Sequence, residues 1–410
     1  TEKSIFHGHS MYDYQGRTYM HVPTDTDVNL RGEPGDVESF LPEYCIHTFT
    51  GHTKGITALR LFPQSGHLLL SASMDTKIKL WDMYHEGHCL RTIMTEIQTP
   101  PTTKINTGTE VSMVGFGCFN PGNPPGIIPG IEAATKIGYT HYDTAALYEN
   151  EKEVGDVLRA SGIPREKLFV TTKLFNDCHH SVEASFDRSL EALNLDYIDM
   201  FLMHWPQATV PGQKYVADDS ISFVDTWKQL EKLLETRAGK VKAIGVSNFS
   251  VKTLTELLKH AKVVPAMNQV ETHPYNQDRE LVKLCQEKGI VVEAYTPLGF
   301  ADSPFFKDQD LLSIAKEIGD DVTVPNVVLS WNVQRGVIVL PKTCTPERAK
   351  ENFRILRLSD AHMQRIYDIE NDPKRRHQRL CQAYDPKTKT ALGWTYDQLG
   401  WNKPIQMMEN

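Results

Sequence analysis

Thr140-His-Tyr-Asp-Thr-Ala-Ala-Leu-Tyr-Glu-Asn150, the run Glu151-Lys-Glu-Val-Gly-Asp-Val-Leu-Arg-Ala160, and Leu168-Phe-Val-Thr-Thr-Lys-Leu174 follow one another across a short turn-rich spacer. In 140–144 and 168–174 the residues are short β-prone runs bounded by turn formers, which predicts strands. Between them, 150–161 carries apolar residues three and four apart, which predicts an amphipathic helix. A strand, a helix and a second strand in this order form one parallel β-α unit.

The same unit recurs on both sides. Strands are predicted at 114–118, 140–144, 168–174, 197–205, 241–248, 266–271, 291–296 and 337–342, with helices at 150–161, 181–193, 223–237, 251–260 and 277–288 among them. Eight such units within residues 94–410 predict an α/β fold, a (β/α)8 TIM barrel. A hairpin over 103–110 would close the barrel floor, and a tail at 371–410, rich in aromatic and charged residues, is left over.

Residues 1–93 read differently. Four short strands, 56–61, 67–71, 77–81 and 88–93, are separated by turn residues, with Gly51-His52 ahead of them and Trp81-Asp82 closing the third. Segments of about 43 residues with these dipeptides resemble one blade of a WD-repeat propeller. The stretch from Tyr12 to Pro23 resembles the segment that precedes the first blade of a WD-repeat pre-mRNA-processing (splicing) factor. The resemblance implies a pinning chain from His52 through Ser71 or Ser73 and Asp75 to the Trp81 indole. No second unit follows, so the expectation is a partial WD-repeat segment, one blade at 51–93 in a 1–93 domain, because one blade cannot close a ring. His85, His88 and Cys89 read as hairpin residues and not as metal ligands. The polar, Pro-rich run after Met94 marks the boundary near residue 94.

Composition narrows the function classes. Hydrophobic residues make up 40% and charged residues 23%, with a formal net charge of -8. No apolar run approaches the roughly 18 residues of a bilayer span. Residues 1–93 hold eight basic and eleven acidic residues, so neither the whole nor this part offers a nucleic-acid-binding footprint, and no nucleic-acid or membrane partner is expected. Seven widely spaced cysteines without a Cys-x-x-Cys pair read as reduced thiols of a cytoplasmic protein. The chain starts at Thr1, not Met, which leaves the start of the reading frame, and any targeting signal, open.

In a barrel of this kind chemistry sits where the strands end. The residues there are Asp143, Lys173, His204, Ser247, Asn248, Gln269, Tyr295 and Lys342, with Tyr148 in the loop after the second strand. A Tyr, a Lys, an Asp and a His in one cleft suit proton transfer to a reducible carbonyl. Tyr keeps its proton at neutral pH, with an ordinary pKa of about 10, and can donate it if the phenolate left behind is stabilised. A neighbouring ammonium supplies that stabilisation, and Asp143 would hold the ammonium.

Asp143-Thr-Ala-Ala-Leu-Tyr148-Glu-Asn150-Glu, Thr172-Lys173-Leu, Asp199-Met-Phe-Leu-Met-His204-Trp-Pro and Gly245-Val-Ser247-Asn248-Phe together resemble the signatures of aldo-keto reductases over about residues 94–410. Gly115-Phe-Gly-Cys and Lys173-Leu-Phe-Asn-Asp-Cys-His-His are similar to the xylose-reductase and fungal aldehyde-reductase branch. The resemblance implies an oxidoreductase in which Tyr148 is the general acid, Lys173 and Asp143 tune it and His204 orients the carbonyl. It also implies NADPH/NADP as cofactor, with Tyr295 stacked on the nicotinamide and Ser247, Asn248 and Gln269 on its carboxamide. Gly117, Cys118, Leu298, Thr343, Glu351 and Asn352 complete the implied cofactor set. Thr345 and Pro346 predict a helix N-cap and first turn, so Lys342 and Arg348 flank a positive helix end that favours an anion. A Lys and an Arg there favour the 2'-phosphate of NADP.

Phe119 and Phe175 stand where many family members have Trp, and Cys344 where the xylose-reductase loop has Asn. Phe119, Phe175, Trp205 and the tail around Trp394 are expected to line an aromatic pocket, with sugars, small hydroxy-aldehydes and aromatic aldehydes all open as substrates. Gly115-Phe-Gly-Cys-Phe-Asn-Pro-Gly122 is not a dinucleotide-fold loop, since its third Gly is misplaced and no helix starts there. No phosphate-binding Gly-x-x-x-x-Gly-Lys loop, serine elbow or His-Glu-x-x-His pair occurs. The alternative function is a cofactor-binding scaffold or splicing-associated fusion without significant turnover. Residues 1–93 as an unrelated gene fragment, joined by a faulty gene model or by a real fusion, is a further open reading.

Overall fold

The computed structural model describes all residues except 1–2, 9, 13–15, 33–44, 46, 54, 74–76, 86, 95–99, 214, 301, 381–383 and 403–410. The chain forms two compact units, Thr1–Thr99 and Pro100–Asn410.

In the first unit, β1 (Lys3–Phe6), β2 (Ile56–Leu61), β3 (Leu68–Ser73), β4 (Lys77–Asp82) and β5 (Cys89–Met94) form one antiparallel sheet in the order β1-β5-β4-β3-β2. The four expected strands are present, and β1 adds a fifth by pairing Ser4 with Ile93. Sequence periodicity could not reveal that partner, because a four-residue strand nearly ninety positions away carries no local signal. Most of the expected pinning chain forms: the Trp81 indole donates to Ser71 Oγ at 2.7 Å, and His52 Nε2 lies 2.8 Å from the same oxygen. Ser71 and Trp81 are buried, so these bonds satisfy groups that would otherwise be orphaned. Asp75, residues 95–99 of the expected linker, and Cys381 lie outside the described residues.

The second unit opens with a hairpin, β6 (Thr102–Lys104) and β7 (Glu110–Ser112), close to its predicted place. Eight parallel strands follow: β8 (Phe116–Gly117), β9 (His141–Asp143), β10 (Phe169–Leu174), β11 (Ile198–Met203), β12 (Val241–Ser247), β13 (Met267–Glu271), β14 (Val291–Tyr295) and β15 (Val337–Leu340). Each pairs with its sequence neighbours. The ring closes between its ends, where Val114 bridges Val339, Gly115 N donates to Val339 O and Gly117 N to Pro341 O. A closed ring leaves no sheet edge.

Helices α1 (Ile128–Ile137), α2 (Glu151–Ala160), α3 (Val182–Leu193), α4 (Phe223–Thr236), α5 (Val251–Leu258), α6 (Arg279–Glu287), α7 (Gln309–Ile318), α8 (Val324–Gln334) and α9 (Pro346–Asn352) accompany the strands, and α10 (Asp360–Asp368) follows. Their apolar faces and the strands build a continuous core that includes Phe116, Phe186, Phe201, Trp227 and Phe249. Close approach needs glycine at two helix positions. A Cβ on Gly155 in α2 would stand 2.0 Å from Leu193 O, and one on Gly130 in α1 would stand 2.2 Å from Thr343 O. The tail adds the small hairpin β16 (Tyr384–Asp385) and β17 (Thr390–Ala391) and the turn α11 (Tyr396–Leu399). Among the described residues no helix is long and apolar enough to cross a membrane.

Candidate active site

Lys173 lies on β10, buried, and its ammonium has three protons to place. They go to the Asp143 carboxylate at 2.7 Å, to Thr144 O at 2.9 Å and to Tyr148 Oη at 3.2 Å. Because the phenol oxygen accepts from Lys173, the Tyr148 proton points elsewhere and is available to a ligand. Thr144 Oγ1 donates to Asn150 Oδ1, and Asn150 Nδ2 donates to Cys118 O, so the loop carrying Tyr148 is tied to β9 and to the chain beyond β8. The local backbone follows: Ala146–Tyr148 form one 3-10 turn, ended by Glu149 in the left-handed region.

Electrostatics set the protonation states. Burial pushes the Lys173 amine down, but the Asp143 carboxylate facing it reverses this and holds it above its usual value. Burial drives Asp143 upward, opposed chiefly by Lys173. For Tyr148 burial outweighs the ammonium, so the phenol is pushed up to about 12. Lys173 therefore offsets part of a larger desolvation cost. The phenol stays protonated at neutral pH and its conjugate base keeps a cation 3.2 Å away.

Gln269 extends this cluster. Its Nε2 donates to Asp143 Oδ1 at 2.7 Å and to Glu293 Oε2 at 2.6 Å, and its backbone oxygen accepts from Ser247 Oγ at 2.8 Å. Asn248 Nδ2 then donates to Ser247 Oγ and to His204 O, while Tyr295 Oη donates to Asn248 Oδ1 at 2.8 Å. Asn248 and Thr296 sit at φ 66 and 49 just past the ends of β12 and β14. Asn tolerates that conformation, whereas a β-branched Thr there is strained. The His204 and Tyr148 rings are 6.0 Å apart, Phe119 lies 4.8 Å from Tyr148, and Phe175 lies 6.2 Å from His204. Asp143, Tyr148, Lys173, His204, Ser247, Asn248, Gln269 and Tyr295 thus share one site.

Other predicted residues lie outside that network. Trp205 is buried against Trp401, ring centroids 5.5 Å apart, in a cluster with Ala391, Leu392, Tyr396 and Leu399 and with Trp394 packed on it. It serves the tail's own core, and Gln207 Nε2 fastens the same segment through Ala391 O at 2.8 Å. Lys342 and Arg348 are exposed near α9, and neither pairs with a carboxylate among the described residues. Lys342 Nζ instead donates to Asn120 Oδ1 at 2.7 Å. Thr345 caps α9 by position but its side chain makes no capping bond, and Thr343 Oγ1 lies 3.0 Å from Thr345 Oγ1. With seven residues α9 is short, so the two side-chain cations and not a long macrodipole supply the positive field. Glu351 Oε1 accepts from Thr323 Oγ1, Asn352 is buried, and Leu298 packs between the two larger cores. Gly117 ends β8 and Cys118 follows it, where Cys118 N donates to Asp143 O at 2.9 Å.

Glu293 and His141 were missed by the sequence reading. An acid inside the apolar run Val291-Val-Glu-Ala-Tyr295 and an imidazole inside β9 were the available signals, since ionisable groups are rarely fully buried without a partner.

The family model described as aldo/keto reductase family matches residues 114–371. The chain belongs to the aldo/keto reductase family. It is 42% identical over 286 residues to a glycerol 2-dehydrogenase (NADP(+)) of Saccharomyces cerevisiae, covering 65% of this chain and 90% of that protein. It is 40% identical over 288 residues to an aldehyde reductase of the same yeast, again over 65% and 90%. An aldo-keto reductase of the silkworm Bombyx mori superposes with a TM-score of 0.63 at 32% identity, covering 69% of this chain and 90% of that one. A solved aldo-keto reductase complexed with NADPH matches with the same figures. Residues 43–82 match the model of the WD domain, G-beta repeat. The reductase family match lies wholly in the second unit, and the WD match wholly in the first.

Proposed function

We propose that this aldo/keto reductase is an NADP-dependent oxidoreductase that reduces aldehydes and ketones, small hydroxy-aldehydes or aldoses among them, with Tyr148 as general acid. When bound, NADPH would contribute hydride-donor chemistry toward a carbonyl carbon. Tyr148 delivers its proton to the carbonyl oxygen, and Lys173 stabilises the phenolate left behind. Asp143 holds Lys173, and His204, whose ring stands beside Tyr148, orients the carbonyl. The residues fit the cofactor in kind: Gln269 and the Ser247–Asn248 pair present polar groups around Tyr295, and the exposed cations Lys342 and Arg348 suit the phosphate that distinguishes NADP. Phe119 and Phe175, on either side of Tyr148 and His204, supply the aromatic wall of the substrate pocket.

The observation that carries this reading is the Lys173 ammonium bridging Asp143 and the Tyr148 oxygen in a buried setting. The test is NADPH oxidation against a panel of aldehydes. Tyr148→Phe is expected to lower kcat by about a hundredfold or more, the scale of general acid catalysis. Unchanged turnover in that variant removes Tyr148 from the mechanism.

A further inference from the structure

Gln269 has two amide protons, and both point to carboxylates: Asp143 on β9 and Glu293 on β14. Carboxylate oxygens only accept, so the opposite orientation would set the amide carbonyl against two acceptors. The amide is therefore locked with its NH2 inward, and Oε1 is the one hydrogen-bonding atom of that side chain left for a ligand. Gln269 and Glu293 are direct register partners, so the second carboxylate is fixed by the sheet itself.

Glu293 is fully buried, and a lone carboxylate there would be costly. His141 meets that cost from across the barrel. Its Nε2 lies 3.1 Å from Glu293 Oε1, and its Nδ1 lies 3.2 Å from Ser112 O. A carbonyl oxygen only accepts, so Nδ1 carries a proton, and Nε2 faces Glu293 Oε1 at ion-pair distance without a hydrogen bond to it. Burial depresses the imidazole, yet the facing carboxylate more than offsets this and raises it. Asp143 and Asp199 also act on His141 or respond to it, and Phe169 packs edge-on against its ring.

We infer that Glu293, which His141 faces at 3.1 Å, is a positioning residue that acts through Gln269. It holds the Gln269 carbonyl toward the nicotinamide end of the site, and so favours a cofactor whose ring substituent donates an N–H. The inference rests on the proposed cofactor role of Gln269, and it assigns the discriminating group to a residue that touches no ligand.

The test compares binding of NADP+ with its 3-acetylpyridine analogue, whose methyl ketone accepts but cannot donate, on the full-length chain, with thermal unfolding as a check on folding. The wild type is expected to bind NADP+ about fivefold tighter than the analogue, the scale of one neutral hydrogen bond. Glu293→Ala leaves Gln269 held by one bond and brings the ratio within about twofold, chiefly by weakening NADP+. Gln269→Leu has the same effect on the ratio, and adding Glu293→Ala to it changes the ratio no further, since the two act as one unit. Glu293→Gln keeps an acceptor for Gln269 and an amide donor for His141 Nε2, so it retains the discrimination; it also carries the test if the alanine variant does not fold. Equal weakening of both ligands by Glu293→Ala, additive effects in the double variant, or no discrimination by a wild type that binds both ligands each overturn the inference alone. A wild type that binds neither ligand overturns the cofactor reading on which it rests.

Discussion

Lys173 shows why single residues decide this site. An ammonium with all three protons committed, to a carboxylate, a carbonyl and a phenol oxygen, is rigid without further packing. A second buried residue near the same rim, His179, behaves in the opposite way. It follows β10, is fully buried with Nδ1 3.1 Å from Thr226 Oγ1, and burial lowers its pKa from 6.5 to about 3. The unfolded chain binds a proton near 6.5 that the folded chain refuses. Stability from this group is therefore fully present above about pH 6.5 and is lost as pH falls towards the folded value, at most about 1.4 kcal/mol per pH unit. Between about pH 7 and pH 5 the loss is about 2 kcal/mol. Thermal unfolding across that range is expected to show the decline in the wild type and a flatter curve in His179→Gln. Parallel curves would assign the acid sensitivity to other groups.

At the level of elements, the barrel was legible because each strand is a short apolar run and each helix a three-four pattern, and both are local properties. All eight strands form where expected, each trimmed by a residue or more at one or both ends. The rim residues Asp143, Lys173, Ser247, Gln269 and Tyr295 were legible for the same reason, since strand ends can be read from the alternation of apolar and polar stretches. What was not legible depends on pairing across the chain. The Lys3–Phe6 strand finds its place through a register with β5. Trp205 turns into the tail because Trp401, nearly two hundred residues later, packs on it. The inward hydrogen bonds of Gln269 to Asp143 and Glu293 join residues 126 and 24 positions apart. The Glu293 bond follows from the register of neighbouring strands, and the Asp143 bond from closing a ring, which brings non-neighbouring strands face to face at its centre.

The whole molecule joins two units with separate hydrogen-bonded sheets and separate family matches. The first is one antiparallel blade-like sheet whose β2 leaves Ile56, Leu59 and Leu61 exposed. The second contains every residue assigned to the site. We propose that residues 1–93 are dispensable for reduction. A chain starting at Met94 is expected to match the full chain in aldehyde-dependent NADPH oxidation and in thermal midpoint; a clear drop in either would give the first unit a supporting role.

The central claim is that a buried ammonium beside a phenol makes that phenol an effective proton donor at the barrel mouth. Turnover of Lys173→Met at saturating NADPH and aldehyde, with cofactor binding measured on the same preparation, tests it most directly. The expected kcat is lower by about a hundredfold or more, the scale of general acid catalysis, with NADPH still bound. A variant that binds NADPH and turns over at the wild-type rate would contradict it.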